Sequence, residues 1–136
     1  ERRVRPHALA DARLAGCRRL FLRGHEVLVD IGVHAFERQR AQRVLIDIDL
    51  YVPLADSTPR GDRLDEVVDY DFVRHEIAAR IAQGRIALQE TLADDILARM
   101  LAHPQVRAAR VATAKPDVYP DCDAVGVEVF GIKETR

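Results

Sequence analysis

Residues 44–52 read Val-Leu-Ile-Asp-Ile-Asp-Leu-Tyr-Val, and this stretch decides the class of fold. Every second side chain from Val44 to Val52 is apolar, while two aspartates and a tyrosine lie between them. Successive side chains of a strand point to opposite faces, so this alternation predicts an antiparallel strand with one covered face and one polar face.

A second strand with the same alternation is predicted just before this one. Its apolar positions run from Leu20 to Ile31, and Gly24-His25 interrupts them where a β-bulge is expected. Residues 32–39 read Gly-Val-His-Ala-Phe-Glu-Arg-Gln and connect the two strands as a long hairpin.

Beyond the central strand, the period of the apolar residues changes. After a loop over residues 53–65, helical spacing predicts one helix over residues 70–83 and a second over residues 91–103. Alternation returns over residues 106–114 and 125–130, which we interpret as two more strands. The order ββααββ predicts an α+β domain, with a four-stranded antiparallel sheet and two helices on one face. Such a sheet has two edges that oligomerisation could protect.

Size and composition limit the classes of protein to consider. The chain has 136 residues, enough for one domain, which we place at residues 18–136 after an N-terminal extension at residues 1–17. A net charge of −1 predicts no nucleic-acid partner, and no apolar run is long enough to span a membrane. Residues 1–8 lack the apolar stretch of a signal peptide, and the two cysteines form no disulfide framework, so we expect a cytoplasmic protein.

Four residues have side chains that could carry chemistry. Lys115, followed by Pro116, ends a predicted strand of small residues, and Glu90 precedes a predicted helix whose unpaired N–H groups favour a carboxylate. Glu37 lies in the hairpin, and Tyr70 lies at the start of the first predicted helix. Taken singly, each is more often a solvated, capping or packing residue. In a cleft, however, a lysine can exchange protons, and a carboxylate can grip two parallel N–H groups of a heterocycle.

The order and spacing of five short motifs resemble the dihydroneopterin aldolase family from about Leu20 to Phe130. The motifs are Asp30-Ile-Gly-Val-His-Ala-Phe-Glu-Arg-Gln, Asp69-Tyr70, Ala87-Leu-Gln-Glu, Ala114-Lys-Pro and Ala124-Val-Gly-Val-Glu-Val. No single motif is specific, so the resemblance depends on all five together. It implies the tunnelling fold, which has the ββααββ order.

The resemblance also implies a role for each candidate residue. Glu90 matches the glutamate that binds the amide and amino edge of a pterin. Gln89 matches the residue before it, whose backbone also binds that edge. Lys115 matches a general acid/base, and Glu37 matches the glutamate beside the hydroxylated side chain of the substrate. Tyr70 matches a tyrosine that closes over the ring from a neighbouring subunit and takes part in proton transfer. The residues expected to line the pocket are Val33, His34 and Val68.

The reaction implied by the resemblance is a retro-aldol cleavage in folate biosynthesis. It converts 7,8-dihydroneopterin into 6-hydroxymethyl-7,8-dihydropterin and glycolaldehyde. A C=N bond of the ring, beside the breaking C–C bond, accepts the electrons, so the expected lyase uses no cofactor and no metal ion. The five histidines form no metal-ligand pattern in the sequence. The resemblance further implies a homo-oligomer, a tetramer or an octamer, with sites between subunits.

Two alternatives stay open at this point. Epimerisation at the 2′ carbon of dihydroneopterin, or of its triphosphate, uses the same intermediate and the same lysine. Arg38, Arg40 and Arg43 lie in or near the hairpin, where they could hold phosphates. A non-catalytic oligomer could instead bind a pterin or purine through Glu90 without turnover, although the complete set of candidate catalytic residues argues against it.

Acidic residues after Lys115 depart from the family pattern. Asp117 stands where small residues are common, and Asp121 and Asp123 add negative charge. If these carboxylates lie near the lysine, they would favour its charged form.

Overall fold

The computed structural model describes residues 11–37 and 40–134, and its elements follow the predicted order ββααββ. The elements are β1 (Cys17–Val29), β2 (Gln42–Pro53), α1 (Asp71–Ala82), α2 (Gln89–Leu101), β3 (Ala108–Lys115) and β4 (Val125–Ile132). The strands pair antiparallel in the order β1-β2-β3-β4, so β1 and β4 are the edges of the described sheet. The predicted α+β class is confirmed.

One face of the sheet and both helices enclose the hydrophobic core. The alternating apolar side chains of β2, from Val44 to Val52, are at most 1% exposed, as their pattern predicts. Ile77 of α1 and Ile96 and Met100 of α2 are fully buried in the same cluster. The helices therefore cover the face of the sheet that the alternation in β2 marks as apolar.

The opposite face of β2 is polar, as predicted, but its centre is not open to solvent. Asp49 and Tyr51 are 2% and 3% exposed. Asp49 accepts hydrogen bonds from Arg23 of β1 and Arg110 of β3. These long side chains cover the carboxylate, and their N–H donors offset the cost of burying its charge. The pattern along β2 alone cannot reveal this burial, because both arginines come from the flanking strands.

The β-bulge predicted at Gly24-His25 is present. The pairing of β1 with β2 changes register between Leu22 and His25, and Gly24 has a φ of 63°. The Gly24 N–H donates a hydrogen bond to the carboxylate of Asp47 at 2.7 Å. A glycine adopts this left-handed conformation without the penalty that a Cβ imposes, so the residue type and the bulge agree.

The element boundaries differ from the predicted ones by a few residues. The helix α1 lies one residue inside its predicted range at each end, and Asp69 accepts a hydrogen bond from the Asp71 N–H just before it. The helix α2 begins and ends two residues earlier than predicted. The strand β3 begins two residues later than predicted and includes Lys115.

The predicted N-terminal extension is only partly described. Residues 1–10 lie outside the described residues. Leu14 is 5% exposed and packs against Tyr51 and Ala108, and β1 begins at Cys17. Within the described part of the extension, Leu14 and Cys17 therefore pack on the domain, while residues 12, 13, 15 and 16 are exposed.

The described residues contain neither a membrane-spanning helix nor a cluster of metal-binding side chains. No helix in this part of the chain is long and apolar enough to cross a membrane. No group of three or more histidine, cysteine, aspartate or glutamate side chains within the described ranges is arranged to hold a metal ion.

Candidate active site

A buried ion pair joins Lys115, at the end of β3, to Glu37, in the connection between β1 and β2. Lys115 Nζ lies 2.7 Å from Glu37 Oε2. The lysine is 9% exposed and the glutamate 3%. Because lysine and glutamate are rarely buried this deeply unless they are paired, the contact is a candidate reaction centre rather than an ordinary surface ion pair.

Three groups donate hydrogen bonds to the Glu37 carboxylate. Besides Lys115, Gln42 Nε2 donates to Oε2 at 3.1 Å, and the His34 backbone N–H donates to Oε1 at 3.3 Å. Burial by itself would raise the pKa of Glu37, but these hydrogen bonds and the charge of Lys115 outweigh it and lower the pKa from 4.5 to about 2. Glu37 is therefore an anion at neutral pH, and Lys115 Nζ is the donor in their bond.

The backbone before Glu37 is shaped to place its carboxylate. Glu37 ends a single turn of 3-10 helix, Ala35–Glu37, and Gly32 has a φ of 135°. A Cβ at Gly32 would lie 2.5 Å from the Glu37 side chain. The Gly32 N–H donates to the Ile86 carbonyl at 3.2 Å, and Arg85 Nη2 donates to the Gly32 carbonyl at 2.7 Å. The position of Glu37 thus depends on the segment between α1 and α2.

The start of α2 lies beside Lys115. Gln89, the first residue of the helix, accepts a hydrogen bond from Thr113 Oγ1 at 2.8 Å and donates one to the Val125 carbonyl at 3.1 Å. Thr113 precedes Lys115 by two positions, on the same face of β3, and Val125 pairs with Lys115 in the sheet. Glu90 is exposed in the first turn of α2, where the helix dipole favours a negative charge.

Tyr70 lies apart from the other candidate residues. It is 68% exposed and lines a cavity of about 420 Å³ whose walls include residues 19–22 of the edge strand β1. Lys115 lies at the end of β3, with β2 between that strand and β1. One chain thus joins Lys115 to Glu37, puts Glu90 next to Gln89 at the start of α2, and holds Tyr70 beside a different strand.

The three residues predicted to line the pocket have different environments. Val33 and His34 are exposed in the connection that carries Glu37, and the His34 ring stacks on Phe36 with centroids 5.3 Å apart. Val68 is 3% exposed and belongs to the hydrophobic core. A contact between Val68 and a ligand would therefore have to use its backbone.

A model of a known protein family matches most of the chain, including all of the candidate site residues. The model described as FolB, dihydroneopterin aldolase, matches residues 20–130, which include every candidate residue named above. The chain belongs to the dihydroneopterin aldolase family.

Relatives of the chain within the dihydroneopterin aldolase family include a solved structure. The dihydroneopterin aldolase of Burkholderia thailendensis, whose crystal structure contains bound guanine, is 58% identical to this chain. The superposition covers 93% of this chain and 99% of that one, with a TM-score of 0.85. The Streptomyces coelicolor dihydroneopterin aldolase is 35% identical over 101 residues, which are 73% of this chain and 82% of the relative. The Pseudomonas aeruginosa dihydroneopterin triphosphate 2′-epimerase is 28% identical over 101 residues, 74% of this chain and 81% of the relative.

Two polar residues of this dihydroneopterin aldolase-family site were not among the predicted ones. Gln42 opens β2 and bonds to Glu37, and Thr113 holds Gln89 in place. Thr113 does leave a signal in the sequence, because alternation puts it and Lys115 on the core-facing side of β3, where polar residues are unexpected. Gln42 has no such signal in the sequence, because its contact with Glu37 depends on how the connection between β1 and β2 folds.

Proposed function

We propose that this protein is a lyase that cleaves 7,8-dihydroneopterin into 6-hydroxymethyl-7,8-dihydropterin and glycolaldehyde. The observation that carries the proposal is the buried Lys115–Glu37 ion pair beside Glu90 in a member of this family. Burying two charges costs free energy even when they are paired. A protein that only bound a pterin would need Glu90 but would have no use for such a pair.

Glu90 is the group proposed to bind the ring. Its exposed carboxylate lies in the first turn of α2, held beside Lys115 through its neighbour Gln89. A pterin presents an N–H and an NH₂ group side by side, which match a carboxylate with two parallel hydrogen bonds. Guanine carries the same pair of groups, so the guanine bound to the 58% identical relative supports this mode of binding.

Lys115 is the group proposed to move protons. As the hydroxyl on C2′ loses its proton, the C1′–C2′ bond breaks, glycolaldehyde leaves, and the bonding electrons enter the adjacent C=N bond, whose nitrogen gains a proton. C1′ then takes up a proton and the ring nitrogen gives one back, which completes the hydroxymethyl product. Lys115 Nζ, oriented by Glu37, can donate and recover these protons, and the Glu37 anion can order a water molecule near the hydroxyl groups.

We further propose that Tyr70 completes the site of a neighbouring subunit. The cavity beside Tyr70 lies along β1, whereas Gln89 contacts Val125 of β4, and these strands are opposite edges of the sheet. Placing β4 of one chain against β1 of the next would bring Tyr70 towards Lys115 and Glu90. The same contact would protect both edges, and a closed ring of such contacts would leave no edge unpaired. This supports the expected tetramer or octamer.

The experiment is an incubation of purified protein with 7,8-dihydroneopterin, without added metal or nucleotide, followed by chromatography of the pterins. We expect Lys115→Ala to lower kcat/KM by about a thousandfold, as the loss of a general acid/base does, while guanine still binds. Lys133→Ala is a matched control, because the chain has only these two lysines and Lys133 bonds to the His103 carbonyl after α2. Full activity of Lys115→Ala, or no cleavage by the wild type, would contradict the proposal.

The Pseudomonas aeruginosa relative supports a second candidate function, the epimerisation of the side chain at its 2′ carbon. Epimerisation needs the same bond cleavage but re-forms the bond before glycolaldehyde leaves. The same chromatogram separates the two activities. An epimerase would produce only the monapterin isomer. An aldolase would produce 6-hydroxymethyl-7,8-dihydropterin.

A further inference from the structure

The backbone just before the turn of Glu37 pairs with the connection between α1 and α2. In that connection, Ile86 forms a parallel β-bridge with Ile31, and both isoleucines are buried in the core. The Ile86 N–H donates to the Asp30 carbonyl at 3.1 Å, and the Ile86 carbonyl accepts from the Gly32 N–H at 3.2 Å. These two bonds fix the backbone as far as the nitrogen of Gly32.

The carbonyl of Gly32 is held by a side chain from the same connection. Arg85 Nη2 donates to it at 2.7 Å, and Arg85 Nε lies 3.1 Å from Asp30 Oδ1. Because the guanidinium group is planar and rigid, its contact with Asp30 also fixes the direction in which Nη2 points. Arg85 therefore orients the peptide group between Gly32 and Val33.

The orientation of this peptide group bears on Glu37, which lies five residues after Gly32. A glycine is needed at this position, since an added Cβ would lie 2.5 Å from the Glu37 side chain. A glycine backbone is, however, freer to rotate than that of other residues, so hydrogen bonds have to fix it. The His34 N–H, which donates to Glu37 Oε1, follows Gly32 on the same stretch of backbone.

We propose that Arg85 is a positioning residue, which holds Glu37 against Lys115 by fixing the Gly32 carbonyl. The inference rests on the proposed function, in which Lys115 moves protons and Glu37 orients it. Arg85 acts through the backbone rather than through a contact with the reacting atoms.

The start of α2 is held by other partners. Gln89, next to Glu90, bonds to Thr113 and to the Val125 carbonyl. Replacement of Arg85 should therefore displace the group that orients the lysine and leave the group that binds the ring in place.

The test variant is Arg85→Met, which removes the hydrogen-bond donors and keeps a long side chain. Arg85 and Asp30 are both partly exposed, so water can replace their ion pair, and the backbone bonds of Ile86 should preserve the fold. We expect kcat for 7,8-dihydroneopterin to fall by about tenfold because Glu37 is displaced. KM and the dissociation constant of guanine should stay at their wild-type values.

Titration of the Glu37 carboxyl carbon, followed by NMR, tests the displacement without any substrate. Burial raises the pKa of Glu37, but bonds from Lys115, Gln42 and the His34 N–H outweigh it and lower the pKa to about 2. The wild-type carboxylate should therefore stay ionised down to about pH 4. In Arg85→Met these bonds weaken, so the pKa should rise towards its ordinary value of 4.5.

Arg80→Met is the matched control. Arg80 Nε lies 2.7 Å from Asp95 Oδ2, so this arginine joins α1 to α2 instead of binding the backbone before Glu37. Its replacement should lower stability without changing kcat or the pKa of Glu37. An equal rise of that pKa in Arg80→Met would overturn the inference, because general loosening of the fold would then explain it.

Asp30→Asn is a second variant, which keeps Arg85 but removes the charge of its partner. It should raise the pKa of Glu37 by less than Arg85→Met does, and it decides alone if Arg85→Met does not fold. A wild type that cleaves no pterin would overturn the proposed function, while the titration would still decide whether Arg85 positions Glu37. An unchanged pKa of Glu37 in the folded variants would overturn the inference, as would an unchanged kcat.

Discussion

Gly32 leaves room for Glu37 because it has no side chain. Its φ of 135° is unfavourable for other residues, and an added Cβ would lie 2.5 Å from Cβ, Cδ and Oε1 of Glu37. We expect Gly32→Ala to lower the free energy of unfolding by about 1–3 kcal/mol through backbone strain. We also expect kcat to fall by at least about tenfold, because Glu37 must move away from Lys115. Chemical denaturation and steady-state kinetics on one preparation measure both effects.

Gly84→Ala is the control for the change at Gly32. Gly84 has a similar φ of 124°, but an added Cβ there would meet no atom within 4 Å. It should therefore show the loss of stability from strain without the loss of turnover. If both variants lost turnover equally, backbone strain rather than the displacement of Glu37 would explain the result.

Among the elements, α2 packs on the core, and its first turn is also tied to β3 by a buried hydrogen bond. Thr113 Oγ1 donates to Gln89 Oε1, next to Glu90. Thr113→Val keeps the shape of the side chain but leaves the buried Gln89 oxygen without this donor, which should cost about 1–3 kcal/mol of stability. Because the first turn of α2 then loosens, KM for 7,8-dihydroneopterin should rise severalfold while kcat changes less.

A control for Thr113→Val must destabilise α2 without touching its first turn. Ile96→Val removes one buried methyl group from the middle of the helix and should cost about 0.5–1.5 kcal/mol. Its KM should stay at the wild-type value. An equal rise in KM for Ile96→Val would mean that the overall stability of the helix, rather than the Thr113–Gln89 bond, controls binding.

The elements show how far the sequence allows prediction. The alternation in β2 and the helical spacing after Tyr70 are local patterns. They predicted α1 to within one residue at each end and β2 to within two. The start of α2 was predicted two residues late, because Gln89 is held by partners on β3 and β4. The ion pair of Glu37 with Lys115 joins residues 78 positions apart, so only the family resemblance could suggest that they act together.

For the whole molecule, the separation of Tyr70 from Lys115 in one chain gives a direct test of the proposed intersubunit site. Tyr70→Phe and Lys115→Ala should each be nearly inactive alone. If β4 of one chain meets β1 of the next, mixed oligomers contain interfaces with an intact Lys115 on one side and an intact Tyr70 on the other. After denaturation and refolding of an equal mixture, about a quarter of the interfaces should be intact, and about that fraction of wild-type activity should return. If each chain formed its own site, the mixture would stay as inactive as its components.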